Sequence, residues 1–250
     1  MQRRVLSDRQ WQLMAPHCLG KPGDVGRSGA DNRLFVEAVL WIVRTGSPWR
    51  DLPAEFGKWN TVFKRYRDWV KADVFHRIFA AVSGEPDMEY AMVDATIVKV
   101  HRHGQGAKGG PQSQAIGRSR GGMSTKILAL CDALGNLVKF VLMPGQRHDS
   151  RGVRELIDGM KLGALLADKA FDADWLIQQL QAQGVQVVIS QMPTRRKRLP
   201  IDEHMYRWRH LIENFFGKLK EFKRIAMRSD KTDSSFASAI YLAAALINSR

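Results

Sequence analysis

Apolar residues recur along this chain with two different periods, and the change from one to the other divides it. Ser7-Asp8-Arg9-Gln10 reads as a capping box ahead of Trp11, Leu13 and Met14. A Gly/Pro-rich turn covers 20–29. Asp31 then caps a helix through Leu34, Phe35, Ala38, Val39, Trp41 and Ile42, which Gly46 and Pro48 end. Residues 49–57 read as a short linking helix or turn. Residues 58–71 repeat at helical spacing, with Val62, Tyr66, Trp69 and Val70 on one face and Lys58, Lys64, Arg65, Arg67 and Lys71 around the rest. Helix, tight connection and basic helix outline a helix-turn-helix, although a small basic helical bundle gives the same pattern.

After the linker Glu85-Pro86-Asp87 the period changes. Residues 90–100 form an apolar, β-branched run expected to be a buried strand. Two further strands, 126–132 and 137–143, are joined as a hairpin. A helix from Ser150, a strand over 163–168, a helix over 173–183 and a strand over 185–190 follow. Last comes a long helix through Tyr206 to Lys220. Plotted at about 100° per residue, Trp208, Leu211, Ile212, Phe215, Phe216, Leu219 and Phe222 share one side. Tyr206, Arg209, Glu213 and Lys220 share a narrow polar stripe. The order of strands and helices is that of a ribonuclease-H-like α/β domain over 85–250, preceded by a small all-α helix-turn-helix-like domain over 1–84.

Composition narrows the partners. The 250 residues carry a formal charge of +14, which points to a polyanion, with nucleic acid foremost. No apolar run is long enough to span a bilayer and the first residues form no signal region, so a cytoplasmic protein is expected. Cys18 and Cys131 have no zinc-like spacing and read as small buried hydrophobes. The segment 99–126 is Gly-rich and cationic, with six Lys/Arg and no acid. It suits a loop clamping a phosphate backbone, and it lacks the residue order of an ATP-binding P-loop. Between Arg195 and Lys231, twelve Lys/Arg face five acids.

Three carboxylates stand out. Asp94 interrupts a core strand, where an unpaired charge is costly, so it must be paired, protonated or bound to metal. Asp168 ends the fourth strand, and Glu213 lies on the polar stripe of the late helix. For Glu213 and Arg209 the plainer alternative is an i,i+4 surface ion pair.

The spacing Y-(2)-R-(3)-E-(6)-K, met by Tyr206, Arg209, Glu213 and Lys220, resembles the signature of DDE insertion-sequence transposases of families four and five. Asp94-Ala95-Thr96 resembles the family's first-aspartate strand. Asp168-Lys169-Ala170-Phe171-Asp172 resembles its second-aspartate turn, with Ala170 and Phe171 where Gly and Tyr are usual. Gln146, His148 and Asp149 resemble a polar cluster after the third strand, and Gly46 to Pro53 resembles a phrase of the family-five N-terminal domain.

The resemblance implies that Asp94, Asp168 and Glu213 are catalytic and hold two Mg²⁺ ions, with Mn²⁺ able to substitute. It implies that Tyr206, Arg209 and Lys220 contact DNA at the site, while Lys58, Lys64, Arg65 and Arg67 read the terminal inverted repeats. The implied reaction is metal-dependent strand cleavage and strand transfer into target DNA, by a homodimer or higher oligomer during synapsis. Asp172 is a weaker candidate, equally readable as a helix cap, and His101, His103 and His148 read as polar lining. The rival readings are a catalytically silent, transposase-derived DNA-binding regulator and a ribonuclease-H-like nuclease without strand joining.

Overall fold

Local signals set most element boundaries in the structure, a computed structural model that describes residues 5–25, 29 and 31–249. Gly26, Arg27 and Ser28 of the expected turn lie outside the described residues. In chain order the helices and strands are α1 (Asp8–Met14), α2 (Asn32–Thr45), α3 (Trp59–Lys71), α4 (Val74–Ser83), β1 (Tyr90–Val100), β2 (Gly117–Ser119), β3 (Gly122–Cys131), β4 (Leu137–Pro144), α5 (Ser150–Ile157), β5 (Ala164–Ala167), α6 (Asp174–Ala182), β6 (Gln186–Ile189), α7 (Glu203–Tyr206), α8 (His210–Lys220), α9 (Lys223–Ala226), β7 (Met227–Arg228) and α10 (Asp233–Asn248). They group into two compact units. One comprises 1–84, 100–110 and 218–250, and the other 85–99 and 111–217.

The first unit is mainly helical. The Ser7 hydroxyl accepts from the Gln10 amide at 3.2 Å and the Gln10 side chain accepts from the Ser7 amide at 3.0 Å, so the expected capping box starts α1. Asp31 caps α2 through the Leu34 amide, and Gly46 ends it in a left-handed conformation at φ 71° that a side chain would strain. Residues 46–58 separate α2 from α3 and carry two 3₁₀ turns, Trp49–Asp51 and Ala54–Phe56, a longer connection than a turn of three or four residues. The buried faces of α2 (Phe35, Val39, Ile42) and α3 (Val62, Tyr66, Trp69) meet α4 and α10. Tyr66 donates its hydroxyl to the Ser235 carbonyl at 2.7 Å, which satisfies the one polar atom of a ring otherwise removed from water. Two buried charges are also neutralised. Arg224 makes a bidentate pair with Asp230 at 3.0 Å for each bond, and Arg228 bonds Asp233 at 2.7 Å.

The second unit is built on a mixed sheet with the path β2-β3-β1-β5-β6, and β4 also pairs with β3. β1 is antiparallel to β3 and parallel to β5, and β5 is parallel to β6. Among the long strands the order is therefore third, second, first, fourth, fifth, which is the ribonuclease-H-like arrangement. Ala91, Val93, Leu128, Leu130, Leu165 and Ala167 bury one face of this sheet against Val153 and Leu156 of α5 and Leu176 and Leu180 of α6. β1 alternates strongly only toward its end, because its first half is buried on both sides as in the parallel core of an α/β sheet.

The late helix differs from its expected form. A 3₁₀ turn at Arg207–Arg209 separates α7 from α8, so the stretch is not one regular helix. A 3₁₀ turn advances about 120° per residue rather than 100°, which rotates Trp208 off the apolar side. It is 42% exposed, while Ile212, Phe215, Phe216 and Leu219 are buried as expected.

Candidate active site

Register brings two of the three carboxylates together. Val93 pairs with Ala167 across the parallel strands β1 and β5, so the next residues along are Asp94 on β1 and Asp168 just past the end of β5. Asp168 is half-buried. Its carboxylate accepts from the Ala170 amide at 2.8 Å and caps the 3₁₀ turn Lys169–Phe171, which fixes its rotamer at the end of the strand. Asp94 is also half-buried, and its Oδ1 accepts from the Ala95 amide at 2.7 Å. Burial pushes the Asp94 carboxyl above the ordinary aspartate range and the neighbouring Asp168 charge adds to the push, while the Ala95 amide and Arg209 oppose it.

Arg209 joins Asp94 to the third carboxylate. Its Nη1 donates to Asp94 Oδ2 at 2.9 Å, and its Nη2 donates to Glu213 Oε1 one helical turn on. Burial works against the guanidinium charge, but Asp94 and Glu213, with Tyr206, outweigh it and hold Arg209 above its usual value. The Tyr206 ring centroid lies 6.0 Å from the guanidinium carbon, in cation–π range. Tyr206, Arg209 and Glu213 therefore form one connected group, and the plainer Arg209–Glu213 ion pair is part of it. Glu213 remains 54% exposed at its side chain, and Lys220 is exposed at the end of the same helix. Among the described residues no three His, Cys, Asp or Glu side chains lie close enough together to hold one ion.

A family model for the "Transposase DDE domain" matches residues 85–248. The chain belongs to the DDE transposase family. A second model, "Putative transposase of IS4/5 family", matches residues 6–79 of the transposase. Among curated sequences it is 38% identical over 130 residues to "Putative transposase for insertion sequence element IS6501" of Brucella ovis, covering 50% of this chain and 98% of that protein. It is 39% identical over 115 residues to the uncharacterized protein y4sN of Sinorhizobium fredii, covering 44% of this chain and 90% of that one. A solved piggyBac transposase synaptic complex with hairpin DNA aligns over 98% of this chain and 72% of that chain, at 9% identity and a TM-score of 0.49.

DDE transposase domains work with divalent metal ions, and the aspartate pair suits one. Asp94 and Asp168 present hard oxygen donors, and a cation between them would offset both the burial that lifts Asp94 and the smaller push from the Asp168 charge. Glu213 is coupled to that pair through Arg209.

The remaining candidates fall elsewhere in the fold. The Asp172 carboxylate caps no helix. It accepts from the Met192 amide at 2.7 Å and pairs with Arg195, which also holds Asp174. That network fixes the start of the basic run 195–198, which nothing in the local sequence announces. Asp149 pairs with the buried Lys126, and exposed His148 bonds Ser150 at 2.9 Å. Lys99, Arg118 and Arg120 line a cleft of about 680 Å³ with no acid among its lining residues, so the cationic loop expected from composition is in part an ordered β2–β3 edge. On α3, Lys58 and Lys64 are exposed. Arg65 instead lies over Phe35 at 4.3 Å and Trp69 at 5.1 Å and donates to Asn32, and Arg67 is half-buried.

Proposed function

We propose that this transposase cleaves and joins DNA at the ends of its insertion sequence, with Asp94, Asp168 and Glu213 as the catalytic carboxylates. The observation that carries the reading is the register of parallel β1 and β5, which aligns Asp94 with Asp168 at the end of β5, with Arg209 tying Asp94 to Glu213. Asp94 and Asp168 would hold the first Mg²⁺, and Glu213 would complete a two-ion site that Mn²⁺ also fills. When bound, such ions activate the attacking water or 3′-hydroxyl and stabilise the leaving oxygen of an in-line phosphoryl transfer.

The protein's own residues supply position. Strand register fixes the two aspartates, and the Ala95 and Ala170 amides hold one oxygen of each. The planar fork of Arg209 now serves two carboxylates. The same fork matches a phosphate, so DNA binding would exchange a carboxylate partner for a backbone oxygen. Tyr206 would steady that fork through its ring, and Lys220 would contact the backbone. The cleft lined by Lys99, Arg118 and Arg120 would carry the strand by charge alone. Lys58 and Lys64, with Arg65 and Arg67 in supporting positions, would read the inverted repeats, and synapsis of two ends would need a homodimer or larger assembly.

The test is cleavage of duplex DNA carrying the terminal inverted repeat. Mg²⁺ or Mn²⁺ should support nicking and joining, whereas Ca²⁺ should support binding alone. Undiminished cleavage in excess chelator would defeat the carboxylate–metal mechanism.

A further inference from the structure

Within the helical unit lies a cavity of about 940 Å³, lined by Trp49, Arg50, Trp59, Phe63, Lys223 and Lys231 among others. None of the three carboxylates lines it, and the mechanism above does not use it. No acid belongs to its lining, and Arg50, Lys223 and Lys231 have no carboxylate within ion-pair distance among the described residues. Arg224, also in the wall, is spent on Asp230.

The aromatic side of the cavity is only partly closed. Trp59 is 37% exposed, with the Arg50 guanidinium 5.6 Å from its ring centroid. Trp49 packs against Phe63 at 5.3 Å and Tyr66 at 5.0 Å between ring centroids. Its indole Nε1–H is buried and has no hydrogen-bond partner. The cavity therefore combines a partly exposed aromatic ring with a set of unpaired cations.

We infer that this cavity binds unpaired nucleotides of a DNA strand. A base inside a duplex has both faces stacked and cannot lie on Trp59. An unpaired base can, with Arg50 adding a cation–π contribution and Lys223 and Lys231 meeting the flanking phosphates. The site rests on the reading of the protein as a DNA-processing transposase. It adds a second mode of binding, recognition of opened or single-stranded DNA, distinct from the backbone contacts of the carboxylate site and of Lys58 and Lys64.

The experiment measures binding by fluorescence anisotropy in chelator, so that catalysis plays no part, with 5′-labelled (dT)10 and a labelled 20-base-pair duplex as probes. Wild type, Trp59→Ala, Trp59→Phe and Lys231→Ala are compared, with circular dichroism and thermal melting reporting on folding. Trp59→Ala should weaken (dT)10 binding about tenfold or more and change duplex affinity less than twofold. Trp59→Phe should restore most of the loss, and Lys231→Ala should lower the salt slope for (dT)10 by about 0.7. Unchanged (dT)10 affinity in Trp59→Ala, or equal losses for both probes, would overturn the site. If Trp59→Ala fails to fold, the decision passes to Lys231→Ala, and an unchanged (dT)10 salt slope overturns the site. Failure of wild type to bind either probe would defeat the DNA-processing reading itself. Normal duplex binding without dependence of (dT)10 on the cavity defeats only the present inference.

Discussion

At the scale of single residues the site is a balance of charges. Asp94 is lifted by burial and by Asp168, and Arg209 offsets that cost while holding Glu213. Glu213→Gln preserves shape and leaves Arg209 one neutral acceptor. Because Glu213 is mostly exposed, its ion pair contributes little to folding, and the melting temperature should barely move. Binding to end DNA should persist, while cleavage should fall on the order of a thousandfold or more. Paired gel-shift and nicking assays decide it, and wild-type cleavage by the variant would make α8 purely structural.

A second residue-scale effect lies away from the site. Burial pushes the Cys18 thiol up to about 11, against the pull of Lys21 and Arg65. A raised folded-state value means the contribution to stability is complete below the ordinary thiol value near 9.0 and is lost as pH climbs toward 11. Between pH 8 and 11.5 the wild type should lose on the order of 2–3 kcal/mol more than Cys18→Ala. Parallel denaturant-derived stability curves for the two proteins would refute this.

At the scale of elements, α3 shows how neighbours with the same charge acquire different work. Lys64 points to solvent, whereas Arg65 covers Phe35 and Trp69 with its guanidinium. Lys64→Ala should leave the melting temperature unchanged and reduce the salt slope of end binding by about one unit. Arg65→Ala should cost about 1–2 kcal/mol of stability through lost cation–π contact and stem packing. Melting curves beside salt titrations separate the two, and equal stability losses would show that the assignment to neighbouring roles is wrong.

The sequence carried the periodicity of α3 but could not show which cation turns inward, since that depends on α2. The strands were readable because β-branched runs, turn residues and an interrupting Asp94 are local signals. The turn at Arg207–Arg209 was not, because its apolar spacing fits one continuous helix equally well. Asp172 was equally opaque: its partner, Arg195, stands 23 residues away with no spacing rule between them. The cavity around Trp59 was hidden for the same reason, since Lys223 and Lys231 reach it from the far end of the chain. A tryptophan beside Arg50 and another beside Lys58 were the available hint.

At the scale of the whole molecule, the chain's last helix belongs to its first unit. Reading along the sequence divides the protein after residue 84, and α10 would then fall in the α/β domain. In the folded unit, Gln10 donates to the Ser249 hydroxyl at 3.0 Å, Asn248 donates to Ser83 at 2.9 Å, and Tyr66 depends on the Ser235 carbonyl. Phe236, Ile240, Leu242, Leu246 and Ile247 are all buried. Burying one such side chain contributes about 1.5–3 kcal/mol, so losing this set removes as much as the entire net stability of a typical domain, about 5–15 kcal/mol. A fragment of residues 1–84 should therefore show helical signal without a cooperative thermal transition. Covalently joining residues 218–250 to it through a flexible linker should restore the transition, because those residues carry both the missing face and the hydrogen-bond partners. A sharp, reversible melt of the 1–84 fragment alone would show that α10 is dispensable and that the first unit is complete without the chain's end.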